Sequence, residues 1–487
     1  MPHSSIESTD APAYARPQLY IAGEWLAAGE RHTEEVLNPA TGLPLARLPH
    51  ATRADLDAAL AAAQQAFAGW RATAPLERSR LLRAAAALVR ERADPIARTM
   101  TLEQGKPLRE ARLEVLASAD TFDWYAEEGR RNYGRVVPGR TLTQRITVLH
   151  EPVGVCAAFT PWNFPAITPA RKIAGALAAG CTLILKLAEE TPATGLALVR
   201  ALHDAGLPPG VLNAVFGVPG EVSSYLLDSP VVAKFSFTGS TAVGKLLAQQ
   251  AAKGLKRATM ELGGHAPAIV CADADVQQAA EMLVAGKFRN AGQVCIAPTR
   301  FYVHTDVYEA FVQAFVERTR RLVPGNGLDE ASNLGPLANP RRQQAMHGLI
   351  TDAVQRGARL ECGGRPMDGP GFFWQPTVLT GVPETARAMN EEPFGPLALI
   401  NRVDSVQEAI DRANRLPYGL ASYAFTQHSA TRAQLARGLQ TGMLGINSLS
   451  VSMAEAPFGG VKESGWGSEC GSEGLLAYCD VKLISED

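Results

Sequence analysis

The sequence predicts an α/β protein: a helical N-terminal stretch followed by two blocks in which strands and helices alternate. Three observations carry this. Residues 52–131 read as successive helices with Leu, Ile and Ala along one side. From Arg145 the apolar residues instead gather into short runs rich in Val, Ile, Leu and Phe with helical segments between them, the pattern of a mostly parallel sheet covered on both faces. A second block of the same kind begins near Pro267.

Taken in order, residues 1–18, "MPHSSIESTDAPAYARPQ", are polar, aperiodic and Pro-bearing, and predict a loose tail. Thr52 with Asp55 three residues on forms a capping box ahead of the stripe in "TRADLDAALAAAQQAFAGW". Two or three more helices follow through Arg131, their basic residues read as solvated surface. "RITVLHEPVGVCAAFTPW" is extended, "AITPARKIAGALAAG" helical, "CTLILKLAE" a strand, "TGLALVRALHDAG" a helix and "VLNAVFG" a strand. A short helix in "GEVSSYLLD" precedes the strand "VAKFSFTG", after which "STAVGKLLAQQAAKG" opens another helix. The second block holds "PAIVCADA", "TRFYVHTDVYEAFVQAFVERTRRL", "FFWQPTVLTGV", "GPLALINRV", "SVQEAIDRANRL" and "GLASYAFT". The Gly-rich tract 458–474 reads as turns, with a short strand in "LLAYCDVKLI" after it. A nucleotide site on such sheets belongs at the carboxyl ends of the strands.

The bulk numbers narrow the function classes. With 487 residues, 46% hydrophobic and 20% charged, the chain has enough material for two or three domains. A formal charge of -2 leaves no footprint for nucleic acid or an anionic membrane surface. The apolar run at 174–185 is too short to span a bilayer. Seven cysteines include no CxxC pair and no zinc spacing, so no metal is expected. Their odd number, with no secretory leader in view, predicts a reducing cytoplasm in which a thiolate survives.

Four stretches bear on chemistry. A free cysteine is ordinarily a small buried hydrophobe, but Cys295 in "FRNAGQVCIA" follows small and polar residues suited to a tight backbone approach. "FTGSTAVG" at 237–244 leaves a strand and opens a helix; Gly239 and Ser240 fit a pyrophosphate cradle and equally an ordinary helix cap. "ELGG" puts Glu261 ahead of two glycines, where a lone glutamate is ordinarily a surface group or a cap; beside a reactive Cys295, burial would raise its pKa and make it a base for water. Asn163 in "PWNFP" fits a backbone tether or an oxyanion donor.

Together, "PWNFP", "FTGSTAVG", "ELGG", "NAGQVC", "EEPFGP" and "PFGGVKESG" resemble, in order and spacing, the aldehyde dehydrogenase superfamily, and within it the succinate-semialdehyde dehydrogenase group. The resemblance implies a modified Rossmann coenzyme domain (19–128 and 150–262), an α/β catalytic domain (263–471) and a small β oligomerisation extension (129–149 and 472–487). It implies a homodimer or a dimer-of-dimers tetramer, joined through an extension whose unpaired edges need a partner. By the family pattern Cys295 is the nucleophile, Asn163 with the Cys295 N–H holds the oxyanion, and Glu261 activates water against the thioester. Lys186 and Glu189 match the adenosine-ribose pair, Gly239 and Ser240 the pyrophosphate turn, Glu392 the nicotinamide-ribose carboxylate with Phe394 beside it, and Trp162 a pocket wall. A carboxylate at 189 favours NAD, since it would repel the 2′-phosphate of NADP; Lys186 leaves NADP open. Arg171, Arg289 and Ser452 match the residues that take the substrate's distal carboxylate. The expected reaction is NAD-dependent oxidation of succinate semialdehyde or a close ω-carboxy aldehyde. The alternatives are glutarate semialdehyde, a keto-substituted semialdehyde or an uncharged aldehyde.

Four positions depart from the family pattern. Leu187 replaces a usual proline beside the ribose pair, and His265 follows ELGG, where a packing or hydrogen-bonding role is expected. Met453 and "NSLSVS" alter the substrate loop. Ala297 replaces the second cysteine of some relatives, which removes a disulfide switch in that loop.

Overall fold

A computed structural model describes residues 14–487. The expected tail splits there: residues 1–13 lie outside the described residues, whereas Tyr14–Gln18 are tied down. Pro17 is buried, and the Tyr14 hydroxyl donates to Glu103. An aromatic ring and a phenol give this short segment an anchor that its polar composition hid.

The first sheet has eight strands. Val232–Thr238, Val155–Phe159, Thr182–Lys186 and Leu212–Val215 lie side by side and parallel, with Arg257–Glu261 parallel beyond Val232–Thr238. Leu19–Ile21 and Glu24–Leu26 extend the far side antiparallel. The helices Arg53–Ala72, Ile167–Ala179 and Pro192–Asp204 bury their apolar faces against it, as short Val/Ile/Leu strands buried on both faces require. The first begins at the Thr52–Asp55 capping box, in which each residue's backbone N–H donates to the other's side-chain oxygen. Three helices follow, at Pro75–Glu91, Ala93–Gln104 and Leu108–Glu128.

The second sheet has seven strands in the order Arg359–Cys362, Thr377–Thr380, Leu397–Val403, Arg300–His304, Pro267–Val270, Ala421–Phe425 and Met443–Ile446. Only the first runs antiparallel. Each large sheet has its own buried core, one built from residues up to Leu262 with the C-terminal turn, the other from Ala266 to Cys470.

Two readings of the C-terminal part change. The Gly-rich tract holds a short strand, Gly465–Trp466, which pairs antiparallel with Arg257–Glu261 and so closes one edge of the first sheet. Gly465 sits at φ +132°, and a Cβ there would lie 1.8 Å from the Met260 carbonyl, so only glycine permits this pairing. The terminal strand begins and ends later than "LLAYCDVKLI" suggested. Leu475 and Leu476 end a helix, and Cys479–Glu486 pairs along its whole length with Arg145–Pro152, which also forms a hairpin with Arg135–Pro138. Among the described residues no helix is long and apolar enough to cross a membrane.

Candidate active site

The strands of the first sheet deliver the candidate residues at their carboxyl ends. Glu261 ends its own strand, Lys186 ends another, Gly239 and Ser240 follow Thr238, and Trp162 and Asn163 come within four residues of Phe159. Cys295 comes from the second unit, in the irregular segment between the helix Val276–Phe288 and the strand Arg300–His304.

The two glycines after Glu261 bring these units into contact. A Cβ on Gly264 would lie 2.9 Å from the Cys295 carbonyl, and one on Gly263 would lie 2.5 Å from Glu392. The Gly264 N–H donates to Glu392 Oε1 at 3.1 Å. Thus "ELGG", "NAGQVC" and "EEPFGP" meet at one point, and side chains on the glycines would part them.

Cys295 is half-buried and unpaired. Burial pushes its thiol up to about 12; Glu392 and Glu261 add to the shift, and Arg171 and Arg289 oppose it. Glu261 is 2% exposed, and neither of its carboxylate oxygens has a hydrogen-bond partner among the described residues. Burial, then Glu469, raise its pKa well above the ordinary carboxylate range, while Lys172 and Arg171 pull it back. A buried carboxyl without a partner among the described residues has its lone pairs free for water or substrate.

Asn163 is buried, and its side-chain Nδ2 donates to the Gln293 carbonyl at 3.0 Å. That bond uses one of its two amide protons and leaves the second available.

The coenzyme candidates form a separate line. Ser240 caps the helix Thr241–Ala252, its hydroxyl accepting from the Val243 N–H, so the first amides of that helix remain open. Lys186 and Glu189 form an ion pair. The Phe394 backbone is left-handed at φ 44°, and its ring meets Trp162 edge-on at 5.5 Å between centroids. Arg342 Nη2 donates to the Pro393 and Phe394 carbonyls and fixes that turn. Glu392 is raised to about 7 by burial, against the pull of the Gly264 N–H, Arg342 and Lys287. Leu187 is buried against Gly195, where a Cβ would lie 2.4 Å from it.

Arg171 is 8% exposed; its Nη2 donates to Ser452 Oγ at 2.7 Å, its guanidinium lies 4.2 Å from the Phe458 ring centroid, and its Nε has no partner. Arg289 is exposed, with its guanidinium 5.4 Å from the Phe164 ring centroid. Neither arginine forms an ion pair among the described residues, yet both act on the Cys295 thiol. Ser452 and Met453 are exposed. His265, by contrast, is wholly structural in its contacts: Nδ1 meets Thr299 Oγ1 at 2.6 Å, Nε2 meets the Ala388 carbonyl at 2.9 Å, and burial drives its pKa well below the ordinary value.

Several residues at this site were not singled out from the sequence. Lys172, fully buried, donates to Ser236 at 3.0 Å and Thr238 at 2.8 Å and pairs with Glu469, so that both charges lie beside Glu261. The available signal was two adjacent cations in a helix that is otherwise apolar on every side. Lys106 pairs with Glu114 at 2.5 Å and donates to the Asn163 carbonyl at 2.8 Å. Lys287 is fully buried, its ammonium has no hydrogen-bond partner among the described residues, and burial lowers it to about 7 against the pull of Glu392.

Residues 25–484 match the model of the Aldehyde dehydrogenase family. The chain is 49% identical, over 97% of its length and 98% of the relative's, to a putative 4-(hydroxymethyl)benzenesulfonate dehydrogenase of Comamonas testosteroni. It is 43% identical, over 96% of its length and 97% of the relative's, to an NADP(+) succinate-semialdehyde dehydrogenase of Escherichia coli. The crystal structure of a succinate-semialdehyde dehydrogenase from Burkholderia pseudomallei superposes with a TM-score of 0.96 at 44% identity, covering 98% of this chain and 99% of that one.

Proposed function

Because this chain belongs to the aldehyde dehydrogenase family, we propose that it oxidises an aldehyde bearing a distal anion to the carboxylic acid, with succinate semialdehyde or a close ω-carboxy aldehyde as substrate. The observation that carries this is the pair Arg171 and Arg289, two cations without ion-pair partners whose charges both reach the Cys295 thiol. A cation as buried as Arg171 is ordinarily paired, the exposed Arg289 adds a second positive charge acting on the same thiol, and guanidinium donors suit a carboxylate.

In this reading the Cys295 sulfur, once deprotonated, adds to the aldehyde carbon, and the oxygen becomes an oxyanion facing the Asn163 amide and the Cys295 N–H. The coenzyme supplies the hydride acceptor. Glu261 then takes a proton from water, whose oxygen attacks the thioester carbon; the C–S bond breaks and the acid leaves. Lys172 and Arg171 lower the cost of ionising Glu261 for that step.

The site suits a dinucleotide. Open amides after Ser240 fit a pyrophosphate, the Lys186–Glu189 pair fits the adenosine ribose, and Glu392 beside Phe394 and Trp162 fits the nicotinamide ribose. A carboxylate at Glu189 makes NAD the preferred coenzyme over NADP in this reading. Most of the coenzyme residues belong to the first sheet, while Glu392, Phe394 and the catalytic loop belong to the second unit. Homo-oligomerisation belongs to the 135–152 and 479–486 strands, where Val136, Val481 and Leu483 are exposed.

A second reading, an aromatic aldehyde bearing a sulfonate, is favoured by the relative at 49% identity and by the Phe164 and Phe458 rings beneath the two arginines. Kinetics with succinate semialdehyde, a sulfonated benzaldehyde and butanal, each with NAD and NADP, test both. Equal kcat/KM for all three aldehydes would remove the anion pocket altogether.

A further inference from the structure

The segment before Cys295 holds a strained turn that catalysis as described above does not use. Asn290 (φ 49°, ψ 38°), Ala291 (φ 53°, ψ 33°) and Gly292 (φ 72°) are left-handed in succession. For Asn290 and Ala291 this costs roughly 1–2 kcal/mol each. Such strain persists only where surrounding contacts over-determine it, and here they are hydrogen bonds from four directions.

The Asn290 N–H donates to Glu110 Oε2 at 2.8 Å, and Gln104 Nε2 donates to Asn290 Oδ1 at 2.8 Å. With its oxygen held by Gln104, the Asn290 carboxamide must present its nitrogen the other way. That nitrogen donates to the Asn163 carbonyl at 2.9 Å and to the Gln293 carbonyl at 3.4 Å. The Gln293 carbonyl is also the acceptor for Asn163 Nδ2 at 3.0 Å. Two hydrogen bonds therefore tie the turn carrying Asn163 to the segment before Cys295, one of them from Asn290, whose second contact, to the Gln293 carbonyl, braces that segment internally. Lys106 completes the Asn163 carbonyl at 2.8 Å but touches the first turn only. All these side chains are buried: Gln104 is 0% exposed, Lys106 1%, Asn290 2% and Asn163 5%.

We propose that Asn290 is a positioning residue for the oxyanion site: its carboxamide, oriented by Gln104, sets the distance and angle between the Asn163 amide and Cys295. The inference rests on the reading of Asn163 as the oxyanion donor. Asn290 itself reaches no reacting atom. It decides where the free Asn163 proton points when the thiohemiacetal oxygen develops charge, a placement in which about 1 Å is worth about a hundredfold in rate.

The discriminating variant is Asn290→Gly, which removes the carboxamide and keeps a residue at home in the left-handed region. Asn290→Asp is its partner, turning the bridging donor into an acceptor facing two carbonyls. Two rates are compared in the full-length enzyme: kcat for aldehyde oxidation, and alkylation of Cys295 by iodoacetamide. Alkylation is a displacement at carbon that creates no oxyanion, so it reports the thiol and its loop but not the Asn163 amide. Both variants are expected to lose about a hundredfold in kcat with KM little changed, while alkylation keeps the parent rate. Asn163→Ala combined with Asn290→Gly is expected to be no slower than Asn163→Ala alone. Should Asn290→Gly fail to fold, Gln104→Ala frees the same carboxamide from outside and is expected to show a smaller kcat loss with the same unchanged alkylation. Parent kcat in Asn290→Gly, alkylation falling in step with kcat, or losses that multiply in the double variant would each overturn the proposal. If Asn163→Ala itself keeps parent kcat, the oxyanion reading fails; if Asn163→Ala is impaired and Asn290→Gly is not, only this inference fails.

Discussion

Replacing Arg171 with alanine is expected to convert an anion-selective enzyme into an indifferent one. Arg171 is 8% exposed, spends Nη2 on Ser452 at 2.7 Å and has an Nε with no partner among the described residues. A carboxylate reaching this group would accept one or two charge-assisted hydrogen bonds, at about 1.5–3 kcal/mol each. Their loss corresponds to roughly ten- to ten-thousandfold in kcat/KM, with the centre of that range near a few hundredfold. Arg171 also lowers the Cys295 and Glu261 pKa values, so its removal slows every aldehyde to some degree. Butanal measures that shared part. The assay is therefore the ratio of kcat/KM for succinate semialdehyde to that for butanal, in the parent, Arg171→Ala and Arg171→Lys. The ratio is expected to collapse in the alanine variant and to recover partly in the lysine variant, which restores charge without the planar fork. Equal losses on both aldehydes would refute the reasoning and reduce Arg171 to an electrostatic support of the thiol.

Two further outcomes follow from buried titrations. With the Cys295 thiol pushed up to about 12, about one thiol in ten thousand is ionised at about pH 8; alkylation of the coenzyme-free enzyme should rise tenfold per pH unit, with no plateau below pH 10. A plateau near neutrality would show a preformed thiolate. Lys287, lowered from 10.5 to about 7 by burial, binds its proton less readily folded than unfolded. Between those values the unfolded chain holds more protons, so stability rises with pH across that window. Lys287→Met should therefore raise Tm at neutral pH, by a few kcal/mol of stability, with the gain shrinking toward pH 10. A Tm difference that does not change with pH would contradict the account.

Much of this site was legible because its reactive parts occur as contiguous strings. Glu261 precedes two glycines, Asn163 lies in "PWNFP" and Cys295 closes "NAGQVC"; no one string marked its residue alone, but the separated strings in order did, whereas the close approach at Gly263 and Gly264 was not read from "ELGG". The supports were not legible, because they are pairs whose members are far apart in the chain. Lys172 meets Glu469 across 297 positions, and Gln104 meets Asn290 across 186; only Lys172, a cation in an apolar helix, stands out alone, and nothing local names its partner. Strands were read well where both faces are buried, as in Thr182–Lys186. They were missed where pairing depends on absent side chains, as at Gly465–Trp466, or on short antiparallel edges, as at Leu19–Ile21. His265 was correctly expected to hydrogen-bond or pack, and the Thr299 and Ala388 contacts give the reason.

The most direct test of the central claim, that an aldehyde is oxidised as a thioester on Cys295 which Glu261 then helps hydrolyse, is to stall the second half. Glu261→Gln keeps the shape of the side chain and removes the base. Mixed with coenzyme and succinate semialdehyde, quenched in acid and analysed by intact and peptide mass, this variant is expected to give a stoichiometric burst of reduced coenzyme and a long-lived acyl adduct on Cys295. Turnover without any adduct, or an adduct on another residue, would contradict the account.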